Sequence, residues 1–191
     1  LEKADVILAN EPMGIKNITH AGCCDRIKNL KIRGTKAEPL FLQLFMEALN
    51  KNGRCAVVVP DGVLFNESNL HKGTRKYLIE NFNLLKVISL NDKGFFLNTG
   101  VSTSILFFKN DENKTKEVEY LELNLNDNRL VEKEIVKVSY DKLVKNDYSL
   151  FVNKYLIEEE EKFEDIEYKK LGDICNFLPK SKRKASYGKE Q

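Results

Sequence analysis

Short apolar runs separated by polar turns recur along most of this chain. Continuous apolar runs of strand length are typical of parallel sheets whose strands are buried on both faces. The predicted strands cover residues 5–9, 54–59, 83–90, 102–109 and 118–123. The last two are expected to pair as a hairpin, because only a short polar segment separates them.

Residues 35–52 have the clearest helical pattern, with apolar side chains three and four positions apart. Thr35 and Glu38 have the spacing of a capping box at the start of this helix. Gly53 follows it, as glycines commonly follow helices. Helical spacing recurs over 70–82. Shorter helices are predicted near 21–30 and 140–145.

Strands that alternate with helices predict the α/β class. We expect the C-terminal part of a doubly wound, mainly parallel, Rossmann-like sheet that ends in a hairpin, followed by an incomplete second domain. A complete domain of this class carries a glycine-rich turn after its first strand, and no such G-x-G-x-x-G turn occurs here. The predicted domains are 1–155 for the sheet, 156–167 for an acidic linker and 168–191 for the start of the second domain.

Charge and cysteine usage narrow the classes of function only slightly. The net charge of +2 does not decide for or against a nucleic-acid partner, because binding depends on a local patch. The four cysteines and two histidines lack the spacing of zinc motifs, so no metal is expected. Reduced thiols indicate a cytoplasmic protein. No apolar run is long enough to span a bilayer, so no membrane partner is expected.

The segment Asn10–Met13, read Asn-Glu-Pro-Met, carries the chemistry. It follows a buried strand, and ligands of open α/β folds bind at the carboxyl ends of strands. The side-chain oxygen of Asn10 and a neighbouring backbone carbonyl can accept two hydrogen bonds from one exocyclic amine. Such bonds prepare the amine nitrogen to attack an electrophilic methyl group. The alternative is that this segment is only a turn that follows a strand and has no chemical role.

This segment resembles the Asn-Pro-Pro-Tyr/Phe motif of adenine-N6 methyltransferases. Four further blocks follow in the family's order and at its spacing. Together they resemble the C-terminal half of the modification subunit of type I restriction-modification systems. The five blocks cover residues 5–14, 38–46, 53–65, 71–82 and 98–108.

The resemblance implies S-adenosylmethionine as the cofactor and a flipped-out adenine as the target. Asn10 would accept one hydrogen bond from the adenine amine, and the carbonyl of residue 11 would accept the other. The residue at position 13 would stack on the base. The family's cofactor-binding residues would lie upstream of Leu1, so this fragment alone is expected to be inactive.

Two positions depart from the family pattern within this motif. Glu11 replaces the first proline, which removes rigidity and brings a carboxylate close to the reacting centre. Met13 replaces the aromatic ring, and a thioether stacks less well on a base. Pro12 matches the second proline.

Seven residues outside the motif are candidates for DNA contacts. Four are basic residues of the loop after the motif, which could bind phosphates. Thr99 and Gly100 match a family block near the target base, and Asp61 matches another block and could line the cleft. A simple turn explains Asp61 equally well and is an alternative for Gly100. The candidates are Lys16, Lys28, Lys31, Arg33, Asp61, Thr99 and Gly100.

The tail has a resemblance of its own. Residues 168–188 are similar to the start of a target recognition domain of type I specificity subunits. This implies a fused modification–specificity polypeptide, with double-stranded DNA, a specificity subunit and a restriction nuclease subunit as candidate partners. One alternative is a methyltransferase-like module that holds DNA or a subunit without chemistry. The other is a methyltransferase acting on RNA or on a protein glutamine, against which the ordered blocks argue.

Overall fold

The computed structural model describes residues 2–15, 18, 22–90, 102–126, 129–156 and 169. The chain divides into two units, Leu1–Ile157 and Glu158–Gln191. Apart from residue 169, the second unit lies outside the described residues. The predicted linker and recognition-like domain therefore stay predictions.

Within the described residues, six strands form one sheet in the order β1-β2-β4-β3-β5-β6. Strand β1 is parallel to β2, β3 is parallel to β5, and β4 is antiparallel to both of its neighbours. Four of the six strands therefore point the same way, which confirms the mainly parallel prediction, although three of the five pairings are antiparallel. The strands are β1 Ala4–Asn10, β2 Leu49–Pro60, β3 Asn83–Leu90, β4 Thr103–Lys109, β5 Glu117–Asn126 and β6 Arg129–Ser139.

Helices lie between β1 and β2, between β2 and β3 and after β6, and the two longest helices pack on the sheet through apolar faces. The buried side of the first of these includes Leu42 and Met46, and that of the second includes Leu78 and Ile79. These side chains join the inner residues of β2, β3 and β4 in one core. The helices are α1 Asp25–Lys28, α2 Ala37–Ala48, α3 Gly62–Phe65, α4 Asn69–Asn81, α5 Tyr140–Lys145 and α6 Asn153–Leu156.

The prediction that segments 102–109 and 118–123 pair as a hairpin is wrong. Strand β4 does not pair with β5 but lies between β2 and β3. Its inward residues Ser104, Leu106 and Phe108 are fully buried, and a strand this apolar gains more from two neighbours than from an edge position. The sheet does end in a hairpin, formed by β5 with the unpredicted β6.

The start of α2 also differs from the sequence prediction. The helix begins at Ala37, and its N-cap residue Lys36 makes no side-chain capping bond. Glu38 does not close a capping box, because its carboxylate accepts a hydrogen bond from another segment. Gly53 does not follow the helix: α2 ends at Ala48, and Gly53 is buried within β2.

Strand β1 is less buried than its apolar sequence predicts. It lies at the edge of the sheet, with Val6 49% and Leu8 80% exposed. Ile7 and Ala9 point the other way and pack on the core. The prediction of burial on both faces is therefore wrong within the described residues, because β1 is covered on one face only.

Candidate active site

Asn10 and Asp61 lie at the same end of the sheet, where β1 and β2 terminate. Asn10 is the last residue of β1 and pairs in register with Val58 of β2. Asp61 directly follows the end of β2. Because β1 and β2 are parallel, both residues are at carboxyl ends, where open α/β sheets bind ligands. Asn10 is exposed, so its amide is accessible to a substrate.

The turn after Asn10 is fixed by a hydrogen bond to a distant helix. Gly14 has φ of +79°, in the left-handed region that favours glycine. Its N–H donates to Oε1 of Glu38 at 2.7 Å. Glu38 is in the first turn of α2 and is 9% exposed. A buried carboxylate therefore ties the candidate motif to the helix that follows it in the chain.

Glu11 points into the protein. It is 5% exposed, and both of its carboxyl oxygens are buried without a hydrogen-bond partner. Burial, and then the negative charge of Glu38, raise the pKa of Glu11 to about 9. At neutral pH this side chain is a neutral acid inside the protein. The side chain of Glu11 is therefore buried, whereas its neighbours Asn10 and Pro12 are exposed at the surface.

Further titratable residues lie close to Glu38. His71 of α4 is 7% exposed, and its Nδ1 is 2.7 Å from Oγ of Ser68. Burial lowers the pKa of His71, as do the charges of Arg75 and Lys36, while Glu38 raises it. His71 is therefore neutral at physiological pH and adds no positive charge beside Glu38.

Residues 30–34 of the basic loop pack onto α2 and α4. Gln43 of α2 accepts a hydrogen bond from the N–H of Ile32 at 2.9 Å and donates one to its carbonyl at 3.0 Å. Leu30 packs between the two helices with Leu40 and Leu70 in a second small core. A Cβ at the nearby Gly34 would lie 2.3 Å from the side chain of Leu70, so any larger residue here would require Leu70 to shift.

This packing presents the predicted phosphate contacts. Lys31 and Arg33 are exposed on either side of the clamped Ile32. Lys28 is half-buried and forms an ion pair with Asp25 at 3.3 Å. The sequence analysis identified these charged residues but not the role of Gln43 in holding Ile32. In the sequence, Gln43 is only one polar position on an apolar helix. Lys16, Thr99 and Gly100 lie outside the described residues.

Asp61 borders a cleft at the same edge of the sheet. Its N–H donates to the carbonyl of Ser102 at 2.9 Å, and its Oδ1 accepts from Oγ of Ser104 at 2.8 Å. Burial raises its pKa, and the Ser104 hydrogen bond opposes that shift. The cleft holds about 130 Å³ and is also lined by Ser89 and Tyr120. The Tyr120 hydroxyl is buried without a partner.

The described residues offer groups that could hold an amine substrate, but not the groups that would hold a nucleotide cofactor. Asn10 and the carbonyl of Glu11 offer acceptors for an amine at an open strand end. The nucleotide half of S-adenosylmethionine needs a cradle of a kind that no G-x-G-x-x-G turn of this sequence supplies. Among the described residues, no cluster of His, Cys, Asp and Glu could hold a metal ion. None of their helices is long and apolar enough to cross a membrane.

Comparison with known proteins adds family relationships to this geometry. The family described as N-6 DNA Methylase matches residues 1–137. The methylase subunit of the type I restriction enzyme EcoEI from Escherichia coli is 38% identical over 121 residues, which make up 63% of this chain and 24% of that protein. The chain thus spans about a quarter of the length of this relative.

Solved structures of proteins from type I restriction-modification systems are also similar to this chain. A chain from a structure of complex assembly and conformational transition in the type I restriction-modification system has a TM-score of 0.65 at 26% identity. The matched region covers 78% of this chain and 37% of the chain in that structure. The M protein of the type I restriction enzyme EcoKI has a TM-score of 0.54 at 30% identity, covering 64% of this chain and 26% of its own.

Proposed function

Because the chain belongs to the N-6 DNA Methylase family, we propose that its protein methylates the N6 amine of adenine in duplex DNA. It does so as the modification subunit of a type I restriction-modification system. The observation that carries the proposal is Asn10, exposed at the carboxyl end of β1 and followed by a turn that Glu38 holds. S-adenosylmethionine supplies the methyl group when it is bound.

Asn10 and Glu11 act on the amine of the flipped base. The Asn10 side-chain oxygen accepts one N–H of the adenine, and the Glu11 carbonyl accepts the other. Both bonds hold the nitrogen lone pair toward the incoming methyl group and stabilise the positive charge that develops there. Pro12 limits the backbone conformation of the turn. Met13, half-buried, packs its thioether on the base.

The loop after the motif binds the DNA backbone. Lys31 and Arg33 are exposed beside the clamped Ile32, so phosphates would meet cations held on a rigid support. Lys28 adds a third positive charge, partly neutralised by its ion pair. Lys16, Thr99 and Gly100 complete the proposed DNA surface on the basis of sequence alone, and Asp61 lines the cleft beside it.

The partners and location follow from the same family relationship. We propose that the protein acts in the cytoplasm with a specificity subunit, on DNA that a restriction nuclease of the same system would cleave. The likeness of the tail to a target recognition domain supports a fused specificity domain. That domain would read bases in the major groove.

Two residues favour a second candidate function, binding of DNA or of a subunit without methyl transfer. Glu11 and Met13 stand where the family has proline and an aromatic ring, and the buried Glu11 carboxyl makes no hydrogen bond. A chain with these changes could retain DNA or subunit binding without transfer. This module would bind duplex DNA with normal salt dependence and incorporate no methyl groups.

The experiment is methyl transfer from labelled S-adenosylmethionine to duplex DNA by the protein in its complete complex. Asn10→Ala should lower the rate by about 10²–10³, since it removes one charge-stabilising acceptor. Asn81→Ala is the matched control. Asn81 is exposed at the end of α4, next to the amino end of β3 and away from the carboxyl ends of β1 and β2. Equal rates for both variants would refute the role of Asn10. Intact DNA binding without transfer by the unmodified protein would establish the non-catalytic module.

A further inference from the structure

We propose that Glu38 is a positioning residue: its buried carboxylate anchors the turn that carries the proposed amine acceptors, with the buried Glu11 carboxyl as its neighbour. The anchor is the hydrogen bond from the Gly14 N–H to Glu38 Oε1 at 2.7 Å. The proposal deepens the proposed function, on which its catalytic consequence rests. The anchor itself can be tested without activity.

The geometry indicates an anchor for four reasons. The bond joins residues 24 positions apart, so it fixes a loop relative to a helix and not a local turn. Hydrogen bonds to a carboxylate are shorter and stronger than bonds between neutral groups. Gly14 has the left-handed backbone conformation that favours glycine, so the sequence specifies the turn that carries the donor. Glu38 is also in the first turn of α2, where the helix dipole stabilises a negative charge.

The anchor acts directly on the residues of the proposed chemistry. Only the turn 11–13 separates Gly14 from Asn10, and Asn10 is itself held by its pairing with β2. The turn is therefore fixed at both ends, by the sheet before it and by Glu38 after it. Freeing one end would let the Glu11 carbonyl move, and displacements of about 1 Å in an active site can cost about 10²-fold in rate.

Glu11 makes the anchor sensitive to pH. Two carboxyl groups buried near each other cannot both ionise without a large cost, and Glu38 is the charge that acts on Glu11. From α4, His71 faces the same Glu38, with Lys36 and Arg75 acting on that histidine. Because His71 is neutral when buried, ionisation of Glu11 would place a second negative charge beside Glu38 with little compensation and would strain the turn.

Amide hydrogen exchange of residues 10–15 in the complete protein tests the anchor directly. Glu38→Ala should raise the exchange rate of the Gly14 amide by about tenfold or more, because its acceptor is gone. Glu38→Gln should raise it less, since an amide oxygen can still accept the bond. Glu47→Ala, at an exposed position of the same helix, should change nothing. Equal exchange in Glu38→Ala and Glu47→Ala would overturn the proposal.

Methyl transfer then tests whether the anchored geometry matters for the reaction. Glu38→Ala should lower kcat about 10²-fold with little change in KM for DNA, whereas Glu47→Ala should match the unmodified protein. A change in KM alone would contradict positioning of the reacting groups. If the unmodified protein transfers no methyl group, the proposed function fails, while the exchange data still decide whether Glu38 anchors the turn.

The pH profile separates this role from a merely structural one. Transfer should decline as pH rises through about 9, where Glu11 ionises, and Glu11→Gln should remove that decline whatever its absolute rate. Glu38→Gln should weaken this decline, because the negative charge beside which Glu11 ionises is gone. The same decline in all three proteins would show that these two carboxyl groups do not control the turn.

Discussion

Replacing Glu11 by glutamine should make the free energy of unfolding of the 191-residue chain, relative to that of the unmodified protein, increase as the pH rises. Glutamine has nearly the same shape but cannot ionise. In the folded chain the pKa of Glu11 is raised from 4.5 to about 9. Between these values the unfolded chain has lost the proton and the folded chain still holds it. The stability of the unmodified protein therefore falls with pH in this window, while below and above it Glu11 adds no pH dependence.

The magnitude follows from the width of the window. Each pH unit between the two pKa values costs about 1.4 kcal/mol, so the full window from 4.5 to about 9 corresponds to roughly 6 kcal/mol as an upper estimate. Between pH 5 and pH 8 the advantage of Glu11→Gln should grow by about 4 kcal/mol. The unpaired buried amide lowers the stability of the variant by a constant amount and leaves this slope unchanged.

Urea unfolding followed by circular dichroism at pH 5, 6, 7 and 8 measures the effect for both proteins. Glu47→Gln is the control, because that exposed carboxylate should give a flat difference. A difference between Glu11→Gln and the unmodified chain that stays constant across this range would refute the burial of an ionisable Glu11.

Two further predictions concern other parts of the molecule. Arg75 is fully buried and donates hydrogen bonds to three backbone carbonyls, so Arg75→Met should lower the free energy of unfolding by about 3 kcal/mol. Lys76→Met, at an exposed neighbour, should change it little, and equal urea midpoints would contradict this reasoning. Replacing Lys31 and Arg33 by alanine should reduce the slope of log affinity against log salt for duplex DNA by about 2. An unchanged slope in fluorescence anisotropy would remove both residues from the DNA surface.

The sequence predicted the elements whose signal is local. Strand β3 has the predicted bounds, α4 is shifted by one residue, and the short helix over 140–145 has the predicted ends. Each of these segments carries its own apolar pattern or turn residues. The edge strand β6 was missed because it buries few side chains, such as Val138, and its many charged residues resemble a loop.

Features that depend on tertiary contacts could not be predicted in the same way. The spacing of Thr35 and Glu38 favours a capping box, but Glu38 bonds Gly14, far away in the chain. The burial of the Glu11 carboxyl could not be predicted, because the sequence shows neither the direction of a side chain that follows a strand nor the position of the helix that carries Glu38. The shared edge of Asn10 and Asp61 was predictable, since parallel strands end at the same side of a sheet.

The identity of the methylated base tests the central claim most directly. Duplex DNA treated with the complete protein and S-adenosylmethionine should be digested to nucleosides and separated by mass spectrometry. The account predicts N6-methyladenine as the methylated product, present with the unmodified protein and with Asn81→Ala and reduced at least a hundredfold with Asn10→Ala, by the loss of one stabilising acceptor. Methylation of another base, or N6-methyladenine that persists undiminished in Asn10→Ala, would contradict it.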